Sequence, residues 1–179
     1  MSTYPKTVEL KDGTSVLIRP IDEKDVDKSF EFFQRLAEED RKFLRVDVTQ
    51  REAVARRMRP DSSDEETCFR LIAEKDDRII ADATLWRPTH GWTSHTAALR
   101  YIIASDFRRK GLASALVREL FVAAVRQGVE KVEAEIMEDN VAAIKSVEKL
   151  GFSREGVLKD FVCDYRGNMH NLVIMSCFI

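Results

Sequence analysis

The stretch FRRKGLASALVREL runs from Phe107 to Leu120. Three consecutive cations, Arg108, Arg109 and Lys110, are followed at once by Gly111 and the small Ala113. From Leu112 onward apolar residues recur at helical spacing. Leu112, Leu116, Leu120 and Ala124 share one face, with Ala113, Val117 and Phe121 beside them, and Gly128 stands where a C-terminal cap is expected. A helix N-terminus carries the positive end of the macrodipole, so cations there are unfavourable on their own. They become favourable when they face an anion. The first amides of a helix have no internal acceptor and point outward, which suits a phosphate. Gly111 allows that ligand close to the backbone, and Arg and Lys add charge to the geometry set by the amides. The plainer alternative is a solvated basic turn. The spacing fits neither a Walker loop nor the three-glycine dinucleotide fingerprint.

Working outward, VELKDGTSVLIRP reads as two short strands around the turn pair Asp12-Gly13. Val26, Phe30, Phe33 and Leu36 recur at three- and four-residue steps and predict an amphipathic helix from Asp22 to about Glu39. A second helix is expected from Gln50 to Arg59, stopped by Pro60, then an acidic loop from Asp61 to Glu66. Strands follow at Cys68–Ala73, Ile79–Trp86 and His95–Ala104, with a loop at Pro88–Thr93. After the central helix come a strand at Lys131–Met137, a helix from Asn140 to Leu150, and two last strands around Arg166-Gly167-Asn168. This order predicts a mixed α/β (α+β) fold, one domain over 1–179, with a mostly antiparallel sheet and one parallel crossover through the central helix.

Composition narrows the function. The chain has 179 residues, 34% charged, with a formal net charge of −2. That balance gives no overall basic field for nucleic acid, and only Phe107 accompanies the cationic turn as an aromatic. No stretch approaches a membrane span and the N-terminus has no apolar signal core, so a cytoplasmic protein is expected. Cys68, Cys163 and Cys177 form no metal or redox motif and are read as reduced, structural residues. Trp86 and Trp92 are read as core or rim packing residues, with the lining of a pocket as the alternative, Tyr101 as a strand packing residue and His170 as a surface residue.

A second motif, DNVAAIKSVEKLGF from Asp139 to Phe152, decides among anion-binding folds. Together the two motifs resemble the GNAT superfamily of acyl-CoA-dependent N-acetyltransferases. The family's cofactor signature is Arg or Gln, two residues, Gly, one residue, then Gly or Ala; Arg108, Gly111 and Ala113 fit it. Its second signature is met by Asn140, Ala143 and the run Glu148 to Phe152. The resemblance is strong from Ala97 to Phe152 and extends more weakly over nearly the whole chain.

The resemblance implies a sheet of about seven strands with about four helices and a V-shaped splay between the two central strands. It implies acetyl-CoA as cosubstrate and no metal. The pantetheine arm would lie along Ile102, Ile103 and Ala104, and the pyrophosphate on the amides of Arg109, Lys110, Gly111, Leu112, Ala113 and Ser114, beside Arg108. Asn140 and Ala143 would border the cofactor, although Asn140 is equally a good N-cap.

The partners implied are acetyl-CoA and an amine acceptor, which can be a small amine, an amino acid, or a protein lysine or N-terminus. No nucleic acid or membrane partner is expected, and the chain is a monomer or homodimer. Amide formation needs a neutral amine, hence a base. Glu135 shares a strand face with Glu133 and lies five residues before Asn140, where some family members carry a general-base Glu. Two positions depart from the family. Val147 stands where many members have a Tyr acid, and Ala98 where others have a Glu. Tyr101, Tyr165 and His170 are the available substitutes if folding brings them close. The rival reading is an acyl-CoA-binding sensor without catalysis.

Overall fold

Asp12-Gly13 closes the first hairpin: the Leu10 amide donates to the Thr14 carbonyl at 2.8 Å, and Gly13 takes a φ of 80°. The computed structural model describes residues 4–58, 66–164 and 166–179. The acidic stretch 61–65, Pro60 and Tyr165 lie outside the described residues.

Among the described residues eight strands form one sheet in the order β1-β2-β3-β4-β5-β6-β8-β7. They are β1 (Lys6–Glu9), β2 (Ser15–Pro20), β3 (Glu66–Lys75), β4 (Arg78–Pro88), β5 (Thr96–Ile103), β6 (Lys131–Met137), β7 (Ser153–Cys163) and β8 (Met169–Phe178). Every neighbour is antiparallel except β5 and β6. That parallel pair is joined by the long helix α4 (Leu112–Arg126), the crossover that parallel strands require. The other helices are α1 (Val26–Arg35), α2 (Glu38–Arg41), α3 (Arg51–Met58) and α5 (Val141–Glu148). The mixed fold is as expected; the eight strands match those read along the sequence and exceed by one the number that the resemblance implies, and among the described residues there is one helix more than expected.

The extra helix comes from a break. The predicted helix to Glu39 begins with a 3-10 turn at Glu23–Asp25 and stops at Arg35. Leu36 and Ala37 are extended, with ψ of 141° and 150°. The extended backbone lets Leu36 join the core under α1. At the sheet's start Arg19 on β2 lies 2.7 Å from both Asp25 and Glu74, so three elements meet at one guanidinium.

The two faces of the sheet differ. One carries Leu71, Ala83, Leu85, Leu99, Val132, Val173 and Met175, packed under Leu112, Leu116 and Leu120 of α4. The other is apolar at Ile72 and Ile79, under Phe32 and Phe33 of α1 and Val54 of α3, and turns polar toward β5 and β6. The period-two reading of β6 holds, since Val132, Ala134 and Ile136 are buried while Glu135 is exposed.

Cys68 and Cys163 are exposed and Cys177 is half-buried. Two side-chain readings do not hold. Trp92 sits at a loop tip with 95% exposure and packs against no core. His170 is no surface residue; it is half-buried between Asp164 and Asp139. Among the described residues no helix is long and apolar enough to cross a membrane.

Candidate active site

The parallel pairing of β5 and β6 is short. Thr96, Ala97 and Ala98 face Lys131, Val132 and Glu133, and there the ladder stops. Each strand continues against its other neighbour, β5 to Ile103 and β6 to Met137. The two strands therefore part after Ala98 and Glu133, leaving a V whose walls present main-chain groups with no strand partner across the gap.

The cationic turn stands at the end of β5. Arg109 has φ of 62° and Gly111 has φ of 90°, so two left-handed residues bend the chain into α4. Six successive amides, Arg109 to Ser114, have no acceptor among the described residues; the next, Ala115, donates to the Gly111 carbonyl at 3.1 Å. Leu112 is 1% exposed, so it can offer a ligand only its amide. Ile103 and Ala104 are less free than expected. The Ile103 carbonyl already accepts from Arg108 Nε at 2.9 Å, and the Ala104 amide donates to Ile80 at 2.9 Å.

The cations have stand-in partners. Arg108 pairs with Asp40 at 2.7 Å and Lys110 with Asp12 at 2.9 Å. Hydrogen bonds from Lys110 and Thr14 hold the Asp12 carboxyl down to about 2. Arg109 has no ion pair among the described residues. A carboxylate thus offsets the charge of two of the cations, while the amides and Arg109 keep no such partner among the described residues.

Asp40 belongs to a strap that sequence patterns did not show. Between Glu38 and Arg45 four side chains cross the mouth of the V. Glu38 pairs with Arg166, Asp40 with Arg108, Lys42 with Asp139 at 3.1 Å, and Arg45 with Glu135. Glu135 is thus at the mouth, partly exposed, with a guanidinium on its carboxylate.

Glu135 also belongs to a row. Strand register places Arg70 of β3 opposite Thr84 of β4, and Thr84 opposite Arg100 of β5. Ala98 faces Glu133, so Arg100 and Glu135, each two residues on, are level across the gap. Burial, then the like charge of Arg45, push the Arg100 guanidinium below its ordinary value, with Glu135 acting against them. The signal for Arg100 was present in the sequence: it is the one charged residue in TAALRYII.

On the far wall, Asn140 caps α5 by accepting from the Ala143 amide at 3.2 Å, so its capping role is met and Ala143 is brought beside it. Val147 is 2% exposed and packs in the core, supplying no hydroxyl. One residue earlier, Ser146 accepts a hydrogen bond from Tyr101 Oη at 2.7 Å, bridging α5 to β5. Burial raises the Tyr101 pKa, which keeps the phenol protonated. His170 stands at the other end of the mouth, 3.2 Å from Asp164 and 3.6 Å from Asp139. Hydrogen bonds from Asn168 hold the Asp164 carboxyl well below the usual range. Among the described residues no three His, Cys, Asp or Glu side chains are grouped as metal ligands.

With this geometry in place, comparison with known proteins is decisive at the level of family. Residues 30–152 match the acetyltransferase (GNAT) family. The chain belongs to that family. As a GNAT acetyltransferase it is an acyltransferase. It is similar to the probable N-acetyltransferase YjcK of Bacillus subtilis, 25% identical over 160 residues that span 82% of this chain and 85% of the relative. It is also similar to the L-amino acid N-acetyltransferase AaaT of Escherichia coli, 30% identical over 51% of this chain and 57% of the relative. The fold is that of the GNAT domain of S. lividans PAT, with a TM-score of 0.81 at 20% identity over 100% of this chain and 99% of that one.

Proposed function

We propose that this GNAT protein transfers an acetyl group from acetyl-CoA to a primary amine by direct attack within a ternary complex. The observation that carries the reading is the set of six unpartnered amides, Arg109 to Ser114, at the end of a strand that has parted from its neighbour. A diphosphate fits such a set, with Arg109 and the paired Arg108 and Lys110 supplying charge. The open edge of β5 beyond Ala98 offers main-chain groups to an extended amide-bearing arm. Any thioester carried on that arm is directed between Arg100 and Glu135 on one face and Tyr101 on the other.

The roles follow from position. Glu135 takes a proton from the acceptor ammonium, directly or through water, once the acceptor displaces Arg45. Unpaired N–H groups of β5 face the gap and can stabilise the oxyanion. The amine nitrogen forms the amide bond as the carbon–sulfur bond breaks; the second proton lost by that nitrogen ends on the departing sulfur, which leaves as the CoA thiol. Tyr101, kept protonated by burial, replaces the hydroxyl that Val147 lacks. Asn140 holds the start of α5 against the arm. A cytoplasmic setting, where acetyl-CoA is available, suits the reaction, and it needs no metal.

The test is amine-dependent release of CoA thiol from acetyl-CoA across a panel of primary amines. Turnover that requires both substrates supports the reading. Tight acetyl-CoA binding with no turnover of any amine supports instead an acyl-CoA-binding module, the reading that the buried Val147 favours.

A further inference from the structure

Arg100 is an unusual residue for its place. The rest of β5 is apolar, apart from the hydroxyls of Thr96 and Tyr101, yet this guanidinium emerges beside the splay. Around it stand three more. Arg70 Nε donates to Thr84 Oγ1 at 3.1 Å and lies 3.9 Å from Asp82. Arg57 lies over the Phe33 ring at 4.7 Å and reaches Asp82 at 3.4 Å. Arg45 pairs with Glu135. Four guanidinium groups thus share two carboxylates, with Cys68 as the other titratable neighbour. Arg100 alone of the four has no hydrogen bond or ion pair among the described residues. A cation so placed, exposed on its face of the strand and beside like charges, is open to an anion that would offset their repulsion.

We propose, on the basis of the acetyltransferase reading above, that Arg100 binds a carboxylate carried by the acceptor, so that the acceptor is a small amine acid such as an α-amino acid. The planar fork of a guanidinium matches a carboxylate through two parallel hydrogen bonds. Anchored there, the amine lies in the space between Arg100 and Glu135, level with each other across the gap. The surrounding positive charge disfavours an ammonium, so it assists loss of the proton that must go before attack. The strap from Glu38 to Arg45, held by its ion pairs across the mouth, narrows the entrance and favours a small molecule over a protein chain.

The experiment measures kcat/KM for matched acceptors, namely L-amino acids, the corresponding amides and the corresponding aminophosphonates, by CoA release. Amides have the less basic amine and more free nucleophile at neutral pH, which makes a preference for the acid a stringent result. The wild-type protein is expected to prefer acid over amide by about 10- to 100-fold, the range for a charged hydrogen-bonding pair. In Arg100→Gln that preference collapses, chiefly through a raised KM for the acid, while acetyl-CoA affinity stays as it was. Arg100→Lys restores part of it, as a charge without the fork. Better use of the aminophosphonate than of the carboxylate would make the anchor a phosphate site and overturn the amine-acid assignment. Equal use of acid and amide by the wild type, loss of both alike in Arg100→Gln, or acetylation of neutral amines with none of the acids would also overturn it. Absence of turnover with every amine, in a protein that binds acetyl-CoA, removes the transferase reading itself and this one with it.

Discussion

Gly111→Asp is expected to lose acetyl-CoA affinity by about 100-fold or more, the worth of two charged hydrogen bonds, while the protein stays folded. Gly111 has φ of 90°, a conformation that Asp and Asn tolerate better than other side chains. A Cβ added there meets only the flexible Lys11 side chain, at 3.5 Å, so nothing rigid must move. The new carboxylate, at the N-cap of α4, would accept from the free amides of the first turn. It would therefore occupy, within the chain, the place proposed for the diphosphate. Gly111→Asn separates charge from shape, since it caps the helix without a negative charge and should lose less. Titration of each variant with acetyl-CoA, with circular dichroism to confirm folding, checks the result. Unchanged affinity in a folded Gly111→Asp protein would show that the ligand does not sit at this helix end.

Glu135→Gln is expected to lower kcat about 100-fold or more at neutral pH, as for loss of a general base, with acetyl-CoA affinity retained. The deficit should shrink as pH rises, because an alkyl amine then loses its proton without help. A pH–rate profile of both proteins reads this directly. Equal activity rules Glu135 out as the base. A deficit that stays constant with pH would make Glu135 a positioning residue that holds Arg45 at the mouth.

What the sequence disclosed was mostly local. The basic turn, Gly111 and the apolar face of α4 lie within one continuous stretch, and their geometry follows from helix-end chemistry. Asn140 was legible for the same reason, as a cap. The splay was expected only through family resemblance, because no periodicity tells two strands to part. The strap was illegible. Asp40, Lys42 and Arg45 look like the solvated end of a helix, and their partners lie far along the chain, 97 residues on for Lys42 and 90 for Arg45. The break at Leu36 has no Gly or Pro to mark it; the pull of a buried Leu side chain overrides a helical pattern there. His170 was misread because its partners Asp139 and Asp164 come from other elements. Arg100, by contrast, could have been found, as the one charge in an otherwise uncharged strand.

The central claim is that the turn after β5 and the first turn of α4 hold the diphosphate of acetyl-CoA. Calorimetric titration of the wild-type protein with acetyl-CoA, beside S-acetylpantetheine without the phosphates, tests it most directly. The account predicts acetyl-CoA binding on the order of micromolar, and a loss of at least about 100-fold for the arm alone. Absence of acetyl-CoA binding, or equal binding of the arm without its phosphates, would contradict it.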